Sequence, residues 1–226
     1  MKLITIAFLL LGGAAMAQDR NIAHFSVWNP KPGQAATFET GYKQHLLWHK
    51  ANNDTWNWYG WYIISGTRTG QFIDITVNHA WDDFNHSVNP AGDGADNALH
   101  TEPFADYLRA YKVALAPFSD PADKKLLAAK MLRMFTIDVN DISRGAKLVE
   151  KVIADYKAKT GSSFIVYNVV DGGNLKQLIV LVPMASIADM EKTATLPASL
   201  SDAAGTITGV VAETLLFKPD MSINVN

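Results

Sequence analysis

The sequence contains no cysteine. That excludes a disulfide framework, thiolate zinc ligation, iron–sulfur clusters and a cysteine nucleophile. Charge of one sign is also scarce: 20 basic residues face 22 acidic ones, a formal net charge of −2. With no basic stripe interleaved with aromatics, nucleic acid is not an expected partner. After the leader described below, no apolar run approaches the roughly 20 residues of a spanning helix, so stable membrane insertion is not expected. Gly-rich phosphate loops, nucleophile elbows and dinucleotide fingerprints are missing too.

What is present begins with a leader. Lys2 precedes the apolar stretch Leu3 to Leu11, and Gly12-Gly13 and Ala15-Met16-Ala17 follow. A short positive region, an apolar core and small residues at the end read as a secretory signal cut after Ala17, which implies a periplasmic or extracellular protein. The 226 residues, 48% of them hydrophobic, suffice for one large domain or two small ones.

Along the chain, one order of elements occurs twice. Ile22 to Asn29 alternates as a half-buried strand does, until Pro30, Pro32 and Gly33 break it. A helix is predicted from about Gln34 to Asn52. Trp56 to Ser65 and Phe72 to His79 then read as a hairpin, Asp82 to Asn97 as a polar loop, and Glu102 to Leu115 as a helix. Ser119-Asp120-Pro121 opens a linking segment, 119–130. Leu132 to Val139 is again a strand, followed by a helix from Asp141 or Ser143 to about Lys159, closed by Gly161. Ser163 to Val170 and Leu178 to Val182 form a second hairpin around Gly172-Gly173. Ile187 to Ala204 reads as a weaker helix, and Val210 to Phe217 as a last strand.

The expected fold class is α+β: a signal peptide (1–17), a first ferredoxin-like repeat (18–118), the linker (119–130) and a second repeat (131–226). The repeat lies in spacing, about 110 residues between Phe25 and Phe135 or Val27 and Ile137. Two such antiparallel sheets can pair and close a barrel, which hides their edges.

Three segments carry a resemblance: Asn29-Pro30-Lys31-Pro32-Gly33 before a helix, Trp58 to Ile64 followed by Phe72 to Trp81, and the closing Leu215 to Ser222. In these the chain resembles the dimeric α+β barrel superfamily in a fused two-repeat form, nearest to NIPSNAP-like and antibiotic-biosynthesis-monooxygenase-like chains. That superfamily includes cofactor-independent monooxygenases, haem-binding enzymes and small-ligand isomerases, so the resemblance implies a fold and leaves open whether this chain is an enzyme. It also implies a ligand between helices and sheet. One chain supplies both sheets, so a monomer is the default and homo-oligomers stay open.

All six histidines and all six tryptophans precede residue 101. Packing two like repeats does not require that imbalance, so it reads either as a ligand pocket kept in the first unit or as drift in core composition, and function is sought in the first unit. On the first helix Phe38, Tyr42, His45 and His49 fall on one stripe, and Leu47 points away. Two imidazoles one turn apart can share a divalent metal; one can be an axial haem ligand or a base; or both can be core-edge histidines bonded to backbone or tyrosine. Leu46 stands where a zinc-protease motif needs glutamate, so no cofactor is assigned.

Strand parity groups Phe25, Val27, Ile73, Ile75 and Val77 as the side expected to face the helices. It leaves His24, Ser26, Trp28, Asp74, Thr76 and Asn78 for the barrel interior, where His24 with Asp74 would make an oriented base or a structural network. On this reading the two histidine sites lie on opposite faces of one sheet. Trp58 and Trp61 add aromatic surface, and Gly60 leaves a gap for a ring or marks a bulge. Asp93-Gly94-Ala95-Asp96-Asn97 lacks the order of a calcium loop and reads as solvated. The expected partner is a small, largely apolar or aromatic molecule, bound by Phe38, Tyr42, His45, His49, Trp58 and Trp61.

Overall fold

The computed structural model describes residues 19–201 and 205–223. The signal peptide and the end of the predicted 187–204 helix lie outside them. Within them, alternation in β1 (Ile22–Pro30) puts Phe25 and Val27 on one side and Ser26 and Trp28 on the other. Then come α1 (Ala35–Ala51), β2 (Trp58–Ser65), β3 (Phe72–His79), a 3-10 turn (Trp81–His86), α2 (Pro90–His100) and β4 (Ala105–Leu115). A short α3 (Lys124–Leu127) leads to β5 (Met131–Val139), α4 (Ile142–Thr160), β6 (Ile165–Asp171), β7 (Gln177–Met184), a 3-10 segment (Ile187–Thr193), α5 (Leu196–Ser201) and β8 (Ile207–Phe217).

The eight strands form one closed antiparallel barrel in the order β1-β3-β2-β8-β5-β7-β6-β4, with β4 returning to pair β1. Each half has the ferredoxin-like order, first β4-β1-β3-β2 and then β8-β5-β7-β6. The halves meet at two seams, where Trp61 lies opposite Phe217 and Val113 opposite Val169.

Two expectations fail here. The stretch from Glu102 to Leu115 is mostly strand, because β4 is hydrogen-bonded on both sides, to β1 and β6, and that pairing overrides the helical preference of its Ala, Leu, Arg and Lys. The helix lies earlier, inside the supposed loop. Asn89 caps α2 by accepting from the Gly92 amide, and Pro90 occupies its first turn. By contrast, α4 starts and ends as read: Asp141 accepts from the Arg144 amide, and Gly161 closes it at φ +65°.

The strand parity was correct but the faces were exchanged. Phe25, Val27, Ile73, Ile75 and Val77 fill the barrel interior with Tyr59, Trp61, Met134 and Tyr167. The polar set on β1 and β3 faces the helices instead. In the second half Phe135 and Ile137 point outward, against Val149 and Ile153 of α4 and Leu196 and Leu200 of α5. The spacing of about 110 residues therefore pairs positions on opposite barrel faces. The linking segment does more than connect, since Ala122 and Leu127 are buried in the interior cluster, and Asn78 donates its amide to the Ala122 carbonyl.

Candidate functional site

Helix α1 buries Phe38, Gly41, Tyr42, His45, Leu46 and His49 along one face, while Leu47 is exposed, as its stripe predicts. Gly41 sets how closely α2 approaches. A Cβ there would collide with the His100 carbonyl and meet the Phe104 ring. This contact brings Asp93 and Asp96 of α2 over the α1 histidines, so the segment read as a solvated loop is part of a helix whose carboxylates face those rings.

The two imidazoles meet through their Nε2 atoms, 3.1 Å apart. Asp93 Oδ1 lies 3.2 Å from His45 Nε2 and 3.6 Å from His49 Nε2. On the far side of each ring is another carboxylate: Asp96 Oδ2 is 2.8 Å from His45 Nδ1, and Asp54 Oδ2 is 2.8 Å from His49 Nδ1, the latter off the ring N–H axis. Asp54 also accepts from the Trp56 amide and the Trp58 indole, both at 2.9 Å. Burial works to raise its pKa, but the donors at His49, Trp56 and Trp58 outweigh it and hold the carboxyl below its ordinary range. Burial likewise opposes charge on His45, yet Asp93 and Asp96 raise its pKa.

Beside this cluster opens a cavity of about 330 Å³, within the size range of small-molecule sites. Trp28, Trp56, Trp58, Phe84 and Tyr107 supply its aromatic walls, and His24, Asp74 and Thr76 its sheet side. Asp74 is 2% exposed and accepts the Trp28 indole N–H at 2.9 Å. Burial pushes its pKa up to about 6, against the Trp28 hydrogen bond and the nearby Tyr42 hydroxyl, which lower it. Burial, then Lys112, pushes His24 down to about 4.

The structure brings His24, Asp74, Tyr42, His45, His49 and Trp58 to one cavity. The expectation that the two histidine sites lie on opposite faces is overturned, because the polar face of β1 and β3 is the one that α1 covers. His24 and Asp74 do not pair: Asp74 bonds Trp28, and the His24 ring lies against Phe84. Two residues expected at the ligand stand elsewhere. Phe38 is fully buried between Tyr42, Phe72 and Trp28, behind the cavity. Trp61 lies inside the barrel, stacked on Tyr59. The gap at Gly60 is filled by the Phe72 ring and the Met221 carbonyl. Asp93 and Asp96 were read as belonging to a solvated loop and not placed at the histidines, and Asp54 was not singled out. The Asn89-Pro90 start signal could have revealed α2 and with it the first two, whereas no local pattern marks Asp54.

Three donor atoms, one each from His45, His49 and Asp93, lie within 4.8 Å of one another. Haem does not fit this pair. With the Nε2 atoms 3.1 Å apart, iron on either one would place the other imidazole within the porphyrin disc.

The sequence matches no protein-family model and no curated protein. Solved structures share the fold. One is a Lactobacillus acidophilus protein with a provisional monooxygenase assignment, with TM-score 0.59, 9% identity, and 90% of this chain and 96% of that one covered. An anthrone oxidase-like protein gives TM-score 0.59 and 8% identity, over 88% of this chain and 92% of the other. A haem-binding protein from Thermus thermophilus gives 0.53 and 7%, over 89% and 92%. At such identities the likeness establishes the α+β barrel fold and no more. Among the described residues no helix is long and apolar enough to cross a membrane.

Proposed function

We propose that the chain is an exported protein, cut after Ala17, that binds a small aromatic molecule in the first-unit cavity. In this reading the two units are fused repeats of a NIPSNAP-like or monooxygenase-like barrel, and the chain works as a monomer in the periplasm or outside the cell. The observation that carries it is the cavity wall. Trp28, Trp56, Trp58 and Tyr107 line one recess, where aromatic faces offer stacking and apolar area at small entropic cost. The test is tryptophan-fluorescence titration of the mature protein with 1-naphthol, beside native mass spectrometry of untagged protein for co-purifying molecules. Saturable quenching that Trp58→Ala and Tyr107→Ala abolish supports the reading. Quenching unchanged in both variants refutes it.

A second reading, monooxygenase-like oxidation of an aromatic substrate, is favoured by Asp74. A buried carboxyl with a pKa near 6 is ionised at neutral pH and poised to accept a phenolic proton within the cavity. Fold neighbours assigned to monooxygenase and anthrone oxidase-like activities agree with it at the level of fold. Oxygen uptake with a quinol, lost in Asp74→Asn, is the expected result.

A further inference from the structure

We infer that His45, His49 and Asp93 bind one divalent first-row transition-metal ion at the wall of the cavity, with Asp96 and Asp54 as supporting carboxylates. The inference goes beyond aromatic binding and stands whether or not an organic molecule enters.

The first argument is a surplus of acceptors. Each imidazole presents Nδ1 to a carboxylate oxygen at 2.8 Å, which favours the ring proton on that side. Both Nε2 lone pairs then point toward the same spot, 3.1 Å apart, where Asp93 adds an anionic oxygen. In the tautomer with both ring protons on Nδ1, the two Nε2 atoms and the Asp93 oxygen are three converging acceptors. One added proton can bridge a single pair, whereas a cation at the centre satisfies all three.

The second argument is metric. Ligands at about 2.0–2.2 Å from a metal lie roughly 2.9 Å apart at right angles and about 3.4 Å apart in a tetrahedron. The observed edges are 3.1, 3.2 and 3.6 Å, so only the His49–Asp93 edge has to shorten slightly. Asp93 has room to do so, because its side chain is 36% exposed while both imidazoles are nearly buried.

The third argument is the outer shell. Metal-bound histidines characteristically give their second nitrogen to a carboxylate or carbonyl, which fixes the ring and raises its basicity. Both histidines here have a carboxylate in that place, and Asp54 is itself held by the Trp56 amide and the Trp58 indole. Two nitrogens and one oxygen suit zinc, iron(II), cobalt or nickel better than magnesium or calcium, which prefer all-oxygen sites. Among the described residues three protein ligands converge, and His45, His49 and Asp93 all line the cavity, so a remaining coordination position opens toward it. A ligand with a phenolate or carboxylate oxygen could fill that position.

The experiment uses the mature, untagged protein, stripped with a chelator and titrated with Zn²⁺ by calorimetry and with Co²⁺ by visible absorption. One equivalent is expected to bind, with Co²⁺ giving the d–d bands of a site of low coordination number. Asp93→Asn and His49→Ala should abolish the bands. Asp96→Asn should keep the stoichiometry and weaken binding about 10–100-fold, as loss of an outer-shell carboxylate does. Asp93→Asn alters a part-exposed side chain, and circular dichroism establishes that it folds. His86→Ala, at an exposed histidine, should change nothing. The inference is overturned if neither ion binds, if binding survives Asp93→Asn and His49→Ala, or if His86→Ala removes it. Failure of 1-naphthol to bind bears on the aromatic reading alone.

Discussion

Trp28 donates its indole N–H to Asp74 Oδ2 at 2.9 Å, and both side chains are buried between α1 and the sheet. Folding therefore moves this carboxyl from an ordinary pKa of about 3.9 to about 6. An acid whose pKa rises on folding contributes its full stability below about pH 4 and loses it as pH passes through 6. Asp74→Asn keeps an acceptor for Trp28 and removes the buried charge. The variant should match the wild type near pH 4 and exceed it at pH 8 by up to about 3 kcal/mol. Urea denaturation at the two pH values checks this, and equal stability at pH 8 would sink it.

His24 acts with the opposite sign. Its ring is held neutral to about pH 4, while in the unfolded chain it titrates near 6.5. Its contribution is complete above about pH 6.5 and declines as pH falls through 4. An NMR titration should find its midpoint well below the ordinary imidazole value of about 6.5, and His24→Asn should flatten the acid limb of the stability profile.

The two tryptophans that both looked like ligand residues should separate cleanly. Trp61→Ala empties a fully buried site in the barrel and should cost about 3–5 kcal/mol. It should leave 1-naphthol affinity intact in the folded fraction. Trp58→Ala should cost less stability and remove that affinity. Thermal unfolding and fluorescence titration of the pair decide the matter.

Across the seam between β2 and β8, Arg68 pairs with Glu213, whose side chain is 1% exposed. The guanidinium Nε donates to both carboxylate oxygens, at 3.0 and 3.1 Å. Glu213→Gln leaves a largely buried guanidinium without its anion and should destabilise by about 3–5 kcal/mol. A loss within the error of denaturant titration would mean that the pair is solvated in solution.

Gly41→Val should separate α1 from α2, because the added side chain occupies the space of the His100 carbonyl. Overpacking of this kind costs about 1–3 kcal/mol. Asp93 and Asp96 would withdraw with α2, so Zn²⁺ affinity should fall although no ligand has been changed. Undiminished affinity would show that α2 is positioned by other contacts.

The elements legible in the sequence were those whose local signals agreed with their pairing. β1 alternates, α1 has its stripe, and Asp141 and Gly161 delimit α4. β4 was not legible, since Ala105 to Leu115 is a strand only because β1 and β6 flank it. Parity separated Phe25 from Ser26 correctly, yet nothing local states which side of a sheet becomes the inside of a barrel; closure at β2–β8 and β4–β6 decides that. The same closure explains the site. His45 and His49 could be seen on α1, but Asp93, Asp96 and Asp54 arrive from segments whose position depends on how α2 docks.

The solid packing outside the second half-barrel sets a stoichiometry. Two identical chains closing such a barrel would offer two equivalent recesses, one per sheet. Here, among the described residues, Phe135, Ile137, Val149 and Ile153 fill the space that on the outer face of the first sheet is the aromatic recess. A saturating titration should therefore end at one molecule per chain, without the cooperativity that paired, symmetry-related sites permit.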